Sequence, residues 1–279
     1  MKDQQKLPPL SAVLWILIST LLVSGTAFMG WLYYLHVRHL RTQDEKYHIA
    51  AIIQKSSQKE TLKTSYLAQL LDLSVDRPIS LYTFNLEEGE KKLKKSPVIK
   101  KAKIKKISPD TLFIDYQTYI AIGYLEGQSN IAIDKEGYLF PFREFFSAKP
   151  LPYFYFSQAC DELKWGNSLK NNKEFQLALA VLKKLKKVIS ANYLIKAIDL
   201  SLAFSHNYGK RQIIVTLLEK KRKTGQKHLV YLRLNSDNYL QNLDNYVTLQ
   251  LHEAKQKKQS YLIDFRIDQL ASVYYSQES

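Results

Sequence analysis

Three short strings in the sequence combine residue types that could form a covalent acyl intermediate. They fit the S-x-x-K, S-D-N and K-T-G signatures of penicillin-recognising serine enzymes and lie at Ser56–Lys59, Ser236–Asn238 and Lys223–Gly225. In that fold K-T-G follows S-D-N, whereas here it precedes it, within a lysine-rich turn. S-x-x-K must also open a buried helix, yet Ser56 lies in a polar stretch. The sequence therefore predicts no catalytic residues, and we expect the protein not to be an enzyme.

Metal and cofactor chemistry also lacks the spacing that it needs. The six histidines are scattered at positions 36, 39, 48, 206, 228 and 252, without an H-E-x-x-H motif, and Cys160 is the single cysteine. Neither G-x-G-x-x-G nor a phosphate-binding loop occurs in the sequence. We expect no metal, no cofactor and no small-molecule substrate.

The chain is strongly basic, with a formal net charge of +15. The run from Lys91 to Lys106 has nine lysines and no acid. Such a run can contact anionic lipid or an anionic wall polymer. It can equally be a solvated surface, because Lys101, Lys103 and Lys105 alternate with apolar residues as in a half-buried strand. The run lacks interleaved aromatic residues, so we expect no nucleic-acid partner.

Residues 10–35 are predicted to form a transmembrane helix. They contain no charged residue and would span about 39 Å as a helix, enough to cross a hydrocarbon core of about 30 Å. Four aromatic residues near the two ends are expected to anchor the helix at the lipid–water interfaces, namely Trp15, Trp31, Tyr33 and Tyr34. A cleavable signal peptide is the alternative, but the apolar run continues well beyond the usual 7 to 15 residues.

The orientation in the membrane depends on length more than on charge. Basic residues lie on both sides of the helix, so the positive-inside rule gives no clear answer. Residues 1–9 are too few to fold and are predicted to be a cytoplasmic tail. Long domains translocate largely regardless of charge, so the remainder of the chain is expected to lie outside the cytoplasm.

After a short polar stalk at 36–46, residues 47–117 are predicted to form one α+β unit. The hydrophobic periodicity gives the order strand, helix, helix, strand, strand. The second helix is well defined because Asn85 can cap its first turn, acidic residues follow, and lysines gather towards its end. Pro97 stops this helix, and Pro109 suits a tight turn between the last two strands.

Residues 118–279 are predicted to form a β-rich second domain. Short strands separated by turn signals precede a helix at 172–188. A strand, a hairpin, a further helix and two terminal strands follow. The expected fold class is α+β, with a mixed α+β C-terminal domain whose extended sheet is mainly antiparallel.

At this level of organisation the sequence resembles the FtsQ/DivIB family of bacterial cell-division proteins. The similarity is carried by SPVIKKAKIKKISPDTLFIDY, Ser96 to Tyr116, by IAIDKEGYLF, Ile131 to Phe140, and by IDFR, Ile263 to Arg266. The family's Trp after the first proline is Val98 here, and the proline usually found before the next strand is Ile120. The resemblance implies a POTRA-type first domain, a non-enzymatic role at the septum and a location at the inner membrane.

The resemblance also implies partners, which are small coiled-coil membrane proteins similar to FtsB and FtsL. In such proteins the last strand of the second domain accepts a strand from the partner, and an edge strand has unpaired backbone groups that an added strand satisfies. The expected partner-binding residues share one parity near the C-terminus: Ile267, Gln269, Ala271, Val273 and Tyr275.

Two other functions remain open from the sequence. One is a POTRA-containing component of a protein translocation or secretion system, although no array of alternating strands for a membrane barrel follows the α+β unit. The other is an envelope-anchored module that binds anionic wall polymer.

Overall fold

The structure is a computed structural model and describes residues 10–128, 130–157, 164–220, 227–253, 260–267 and 269–275. The described chain divides into two compact units. The first contains residues 10–56, 63–93 and 102–116. The second contains 57–62, 94–101 and the described residues from 117 onward.

The N-terminal helix, α1, runs from Leu10 to Gln43. It is apolar and long enough to cross a membrane, and its side chains from Leu14 onward are not buried against the rest of the protein. The helix extends eight residues beyond the predicted transmembrane segment and through most of the predicted stalk, because residues 36–43 include neither proline nor glycine. A 3-10 turn, Glu45–Tyr47, follows, and the Asp44 carboxylate accepts the Lys46 N–H at its start (3.1 Å).

An α+β domain built around a three-stranded sheet accounts for most of the first unit. Its elements have the predicted order and are β1 (Ala51–Ser56), α2 (Thr64–Leu70), α3 (Leu86–Lys94), β2 (Ile99–Ile107) and β3 (Thr111–Thr118). The strand order is β1-β3-β2, with β1 and β3 parallel. The central strand β3 therefore lies between two edge strands.

A helix cap and the alternation of apolar residues, both predicted from the sequence, are present in this domain. The Asn85 side chain accepts the backbone N–H groups of Glu87 (3.1 Å) and Glu88 (3.3 Å), which caps α3. Alternate residues of β2 and β3 are buried between the sheet and the helices. The buried set includes five residues that carry the family resemblance, namely Ile99, Ala102, Ile104, Leu112 and Ile114.

The second unit contains a nine-stranded mixed sheet. Its strands are β4 (Ala121–Leu125), β5 (Ile131–Asp134), β6 (Leu139–Pro141), β7 (Tyr153–Tyr155), β8 (Tyr193–Asp199), β9 (Ile213–Lys220), β10 (Lys227–Leu234), β11 (Tyr261–Asp264) and β12 (Ser272–Tyr275). The strand order is β12-β11-β10-β9-β8-β7-β4-β5-β6. Pairings β10–β11, β4–β7 and β7–β8 are parallel, and the other five are antiparallel.

Two helices, α4 (Lys173–Val188) and α5 (Tyr239–Glu253), cover the core of this sheet. Asn172 caps α4, as its side chain accepts the Phe175 N–H (3.0 Å). The buried side of α4 packs Phe175, Val181 and Leu185 into the same cluster as alternate residues of the strands. Burial of this apolar surface holds the helices against the sheet.

Some elements differ from the prediction. The sequence pattern predicts the first strand at 47–54, but β1 begins at Ala51. Strand β7 was not predicted, because three residues beside Pro150 and Pro152 give too short a pattern. The sequence pattern predicts the two terminal strands at 260–267 and 271–275, but β11 ends at Asp264 and β12 begins at Ser272.

Candidate partner-binding edge

Strand β12 forms one edge of the nine-stranded sheet. It pairs antiparallel with β11 along one side, with Ile263 opposite Val273 and Tyr261 opposite Tyr275. Within the described part of the chain no strand pairs with the other side of β12. An edge of this kind has a row of backbone N–H and C=O groups that an added strand can satisfy.

The register determines where the two predicted residues of this strand point. Val273 and Tyr275 lie beside Ile263 and Tyr261, which are both buried, so their side chains project to the core face. Val273 packs against the core, and the Tyr275 ring contacts the Tyr261 ring at a centroid distance of 6.4 Å. Tyr275 nevertheless remains 53% exposed. It therefore offers an aromatic surface at the very edge of the sheet.

The other three predicted residues do not share that strand. Ile267 lies beyond the end of β11, and Ala271 directly precedes β12. Gln269 has a positive φ of 63°, a left-handed turn conformation that interrupts the alternation of side chains. The predicted residues from 267 to 275 therefore do not lie along one continuous strand, because the chain turns between the two strands, and their role in partner binding stays a prediction.

Exposed apolar side chains nevertheless surround the edge. Ile267, which precedes the turn between β11 and β12, is 66% exposed, and Tyr274, which lies on β12 after this turn, is 59% exposed. Leu270 is also exposed, and it lines a groove of about 440 Å³ at the start of β12. The groove lies between α5 and this turn and is lined by Gln241, Asn245, Thr248, Leu249, Phe265, Gln269, Leu270 and Ala271.

An ion-pair network supports the end of β11 beside this edge. The Arg266 guanidinium donates to both carboxylate oxygens of Asp264, with Nε–Oδ1 at 3.0 Å and Nη2–Oδ2 at 2.8 Å. Arg233 on β10 lies 3.4 Å from the same carboxylate and donates to Gln212. Burial opposes the charge on Asp264, but the hydrogen bonds and positive charge of Arg266, with Arg233, outweigh it and lower the pKa of this carboxyl. The sequence singled out the IDFR string but did not reveal its partner Arg233.

The opposite edge of the sheet is protected against strand addition. Its strand, β6, is only three residues long and ends in Pro141, which has no backbone N–H to donate. Strand β12 contains neither proline nor a charged residue. Of the two edges, β12 is therefore the one suited to accept a strand.

The four predicted membrane anchors all lie on α1. Trp15, Trp31, Tyr33 and Tyr34 are exposed, and Trp31 contacts Phe28 with ring centroids 6.1 Å apart. Trp15 and Trp31 are sixteen residues apart, or about 24 Å along the helix axis. This spacing is compatible with rings near the two surfaces of a bilayer.

Two of the three strings with possible catalytic chemistry lie within the described residues. Ser56 is the last residue of β1 and so does not open a helix, Ser236 lies before α5, and Lys223–Gly225 fall outside the described residues. Cys160 also lies outside them. Among the described residues no three His, Cys, Asp or Glu side chains are grouped to hold a metal.

Comparison with known proteins identifies the first domain. Residues 50–115 match the family described as POTRA domain, FtsQ-type. No curated protein matches the chain. The matched range contains β1, β2, the helices α2 and α3, and most of β3. Residues 50–115 are therefore similar to FtsQ-type POTRA domains, and with the N-terminal apolar helix they fit an FtsQ/DivIB-like protein.

Proposed function

We propose that this protein is a non-enzymatic, bitopic membrane scaffold of the bacterial division machinery. It binds small coiled-coil membrane partners similar to FtsB and FtsL and so helps to assemble septal cell-wall synthesis. The observation that carries this proposal is the position of β12, an uncharged terminal strand at an unprotected sheet edge. The FtsQ-type POTRA domain supports the division role.

Partner capture in this proposal is β-strand addition at β12. Backbone hydrogen bonds supply much of the attraction, and side chains around the edge supply specificity. Tyr274 and Tyr275 offer exposed aromatic surface on the two faces of the sheet at β12. Leu270 lines the neighbouring groove. Aromatic residues of this kind often contribute most of the energy of an interface.

The arrangement in the membrane follows from the same proposal. Residues 10–35 cross the inner membrane, residues 1–9 remain in the cytoplasm, and the domains proposed at 47–117 and 118–279 lie outside it. The apolar α1 supports a single-pass anchor. The division site is where partner binding places the protein.

Site-specific photocrosslinking in the organism's own membranes tests the partner surface. A benzoylphenylalanine replaces Tyr274 beside β12, and in a matched control it replaces Trp165, which is 56% exposed beside the opposite edge. We expect the Tyr274 position to crosslink a small membrane protein with one transmembrane helix and a coiled coil. Equal capture from both positions, or none from Tyr274, contradicts binding at β12.

Depletion tests the cellular role separately from the surface. Cells without the protein should continue to grow but fail to form septa, since the proposed scaffold acts on assembly of septal synthesis. Normal septation after complete depletion rejects the division function.

A further inference from the structure

The basic residues near the end of α1 and those at the end of β2 belong to one region of the first unit. Strand β2 ends with Lys105, Lys106 and Ile107, all exposed. The next residues form the turn to β3, and the Asp110 carbonyl in that turn accepts the Ala50 N–H at 3.0 Å. Ala50 follows the end of α1 by only seven residues. The end of β2 is therefore close to the point where the chain leaves the helix.

Two further backbone bonds hold the helix exit against the domain. The Tyr47 carbonyl accepts the Leu81 N–H at 2.8 Å, and the Ile49 N–H donates to the Ile79 carbonyl at 2.9 Å. The guanidinium of Arg41, in the last turn of α1, lies 5.7 Å from the centre of the Tyr82 ring. These contacts restrict how far the domain can move away from the helix.

The helix sets the height of this region above the hydrocarbon core. Arg38 follows Leu35, the last residue of the apolar segment, by three residues, or about 4.5 Å along the helix axis. Arg41 is about one turn further on. Both side chains therefore extend at the level where lipid headgroups lie. Partial desolvation lowers the pKa of Lys106. The positive charge of Arg38, which lies near the Lys106 ammonium, lowers the same pKa further.

The charge in this region is unbalanced. Among the described residues neither Lys105 nor Lys106 forms an ion pair with a carboxylate. Asp44 is paired with Lys46 at 2.9 Å, which leaves Glu45 and Asp110 as the nearby carboxylates in sequence. A region with more cations than carboxylates attracts an anionic surface within about one Debye length, or about 8 Å at physiological ionic strength.

We propose that Arg38, Arg41, Lys105 and Lys106 form a binding site for anionic phospholipid headgroups, which docks the POTRA domain onto the membrane surface. The four residues are called the juxtamembrane basic cluster. Its ligand is a headgroup phosphate, and the exposed Ile107 side chain, which follows Lys106 at the end of β2, suits the boundary between headgroups and acyl chains. The site is independent of partner capture at β12.

Protection of an exposed edge is the competing explanation for the lysines of β2. Lysines along an edge strand prevent unwanted pairing, and β2 is an edge of its sheet. That explanation applies equally to Lys101, which lies about 17 Å along the strand from Lys106. Lipid binding instead requires the end that is close to α1. Paired substitutions at the two ends of the strand therefore distinguish the two explanations.

The test uses the full-length chain reconstituted in phosphatidylcholine bilayers. Electron paramagnetic resonance measures how strongly spin-labelled phosphatidylglycerol associates with the protein, relative to spin-labelled phosphatidylcholine. We expect the wild-type protein to prefer the anionic lipid by about fivefold. The variant K105Q/K106Q should lower this preference by about twofold or more, and 1 M salt should largely remove it.

The control variant K95Q/K101Q removes the same charge at exposed positions near the other end of β2 and should keep the wild-type preference. Circular dichroism of each variant checks that the fold is intact. The proposal is overturned if the wild type shows no preference for the anionic lipid. It is equally overturned if folded K105Q/K106Q behaves like the wild type, or if both variants lose the same amount.

Discussion

Tyr275 combines a core contact with a surface that remains accessible. Its ring packs near buried Tyr261, yet about half of the side chain is exposed at the sheet edge. If a partner strand covers this ring, Tyr275→Ala should weaken partner binding by about 1 to 3 kcal/mol. Titration of the purified protein with a partner peptide measures the change in Kd. Tyr275→Phe retains the ring and should bind almost as tightly as the wild type, and an unchanged Kd for the alanine variant would contradict a role for Tyr275 as an anchor.

Asp264 makes a pH-dependent contribution to stability. Its folded-state pKa lies below the ordinary value of 3.8, so its ion pairs stabilise the folded protein above that value. This contribution is lost as the pH falls through the lower, folded-state pKa. Asp264→Asn should therefore reduce the free energy of unfolding by about 1 to 3 kcal/mol at pH 7, and by progressively less below about pH 4. Urea denaturation at several pH values measures this difference.

A surface carboxylate serves as the control for that experiment. Asp244 pairs with Lys184 at 2.8 Å but is largely exposed, so Asp244→Asn should change the free energy of unfolding by no more than about 1 kcal/mol. If the two variants lose the same stability at pH 7, or if the effect of Asp264→Asn does not decline in acid, the ion-pair network is not what stabilises the end of β11.

Strand β12 has one backbone side on β11 and the other at the sheet edge. In an antiparallel pair successive residues direct their N–H groups to opposite sides, so either Val273 or Tyr274 directs its N–H outward. Proline removes that donor. We expect Val273→Pro to abolish partner capture while α1 and the POTRA domain stay folded. Truncation after Leu270 should have the same effect. Tyr274→Pro is the paired variant. Of the two proline substitutions, the one at the position with the outward N–H should disturb the fold less, because that N–H does not bond to β11.

Circular dichroism and partner pull-down, applied to both proline variants, separate binding from folding. Val273→Ala is the matched control, because it keeps the backbone N–H and should keep most of the capture. A variant with proline at the outward position that stays folded and still captures its partner rules out strand addition. If both prolines unfold the second unit, crosslinking from position 274 becomes the deciding measurement.

At the scale of the whole molecule, the proposal requires that the domains after α1 lie outside the cytoplasm. A reporter enzyme that is active only outside the cytoplasm, fused after Ser279, should therefore be active. The same reporter fused before Lys2 should be inactive. A stable but inactive C-terminal fusion would overturn the orientation and, with it, a role in septal synthesis.

The sequence by itself determined the features that depend on neighbouring residues. An uncharged run sufficient to cross a bilayer specifies α1, and asparagine caps at Asn85 and Asn172 fix the starts of two helices. Alternation of apolar residues in β2 and β3 identifies the buried face. These features gave the α+β class and the order of elements in the POTRA domain.

Only the tertiary structure decided which strand is an edge and what lies beside it. Strand order results from pairing between residues far apart in the chain, as when β10 pairs with β11 across α5, and local periodicity has no information about such pairing. The turn at Gln269, the pairing of Arg233 with Asp264 and the groove under α5 are likewise absent from any local pattern. Lys106 and Arg38 are 68 positions apart in the sequence, and only the folded chain brings them near each other. For this reason only the structure shows which end of the lysine run lies close to α1.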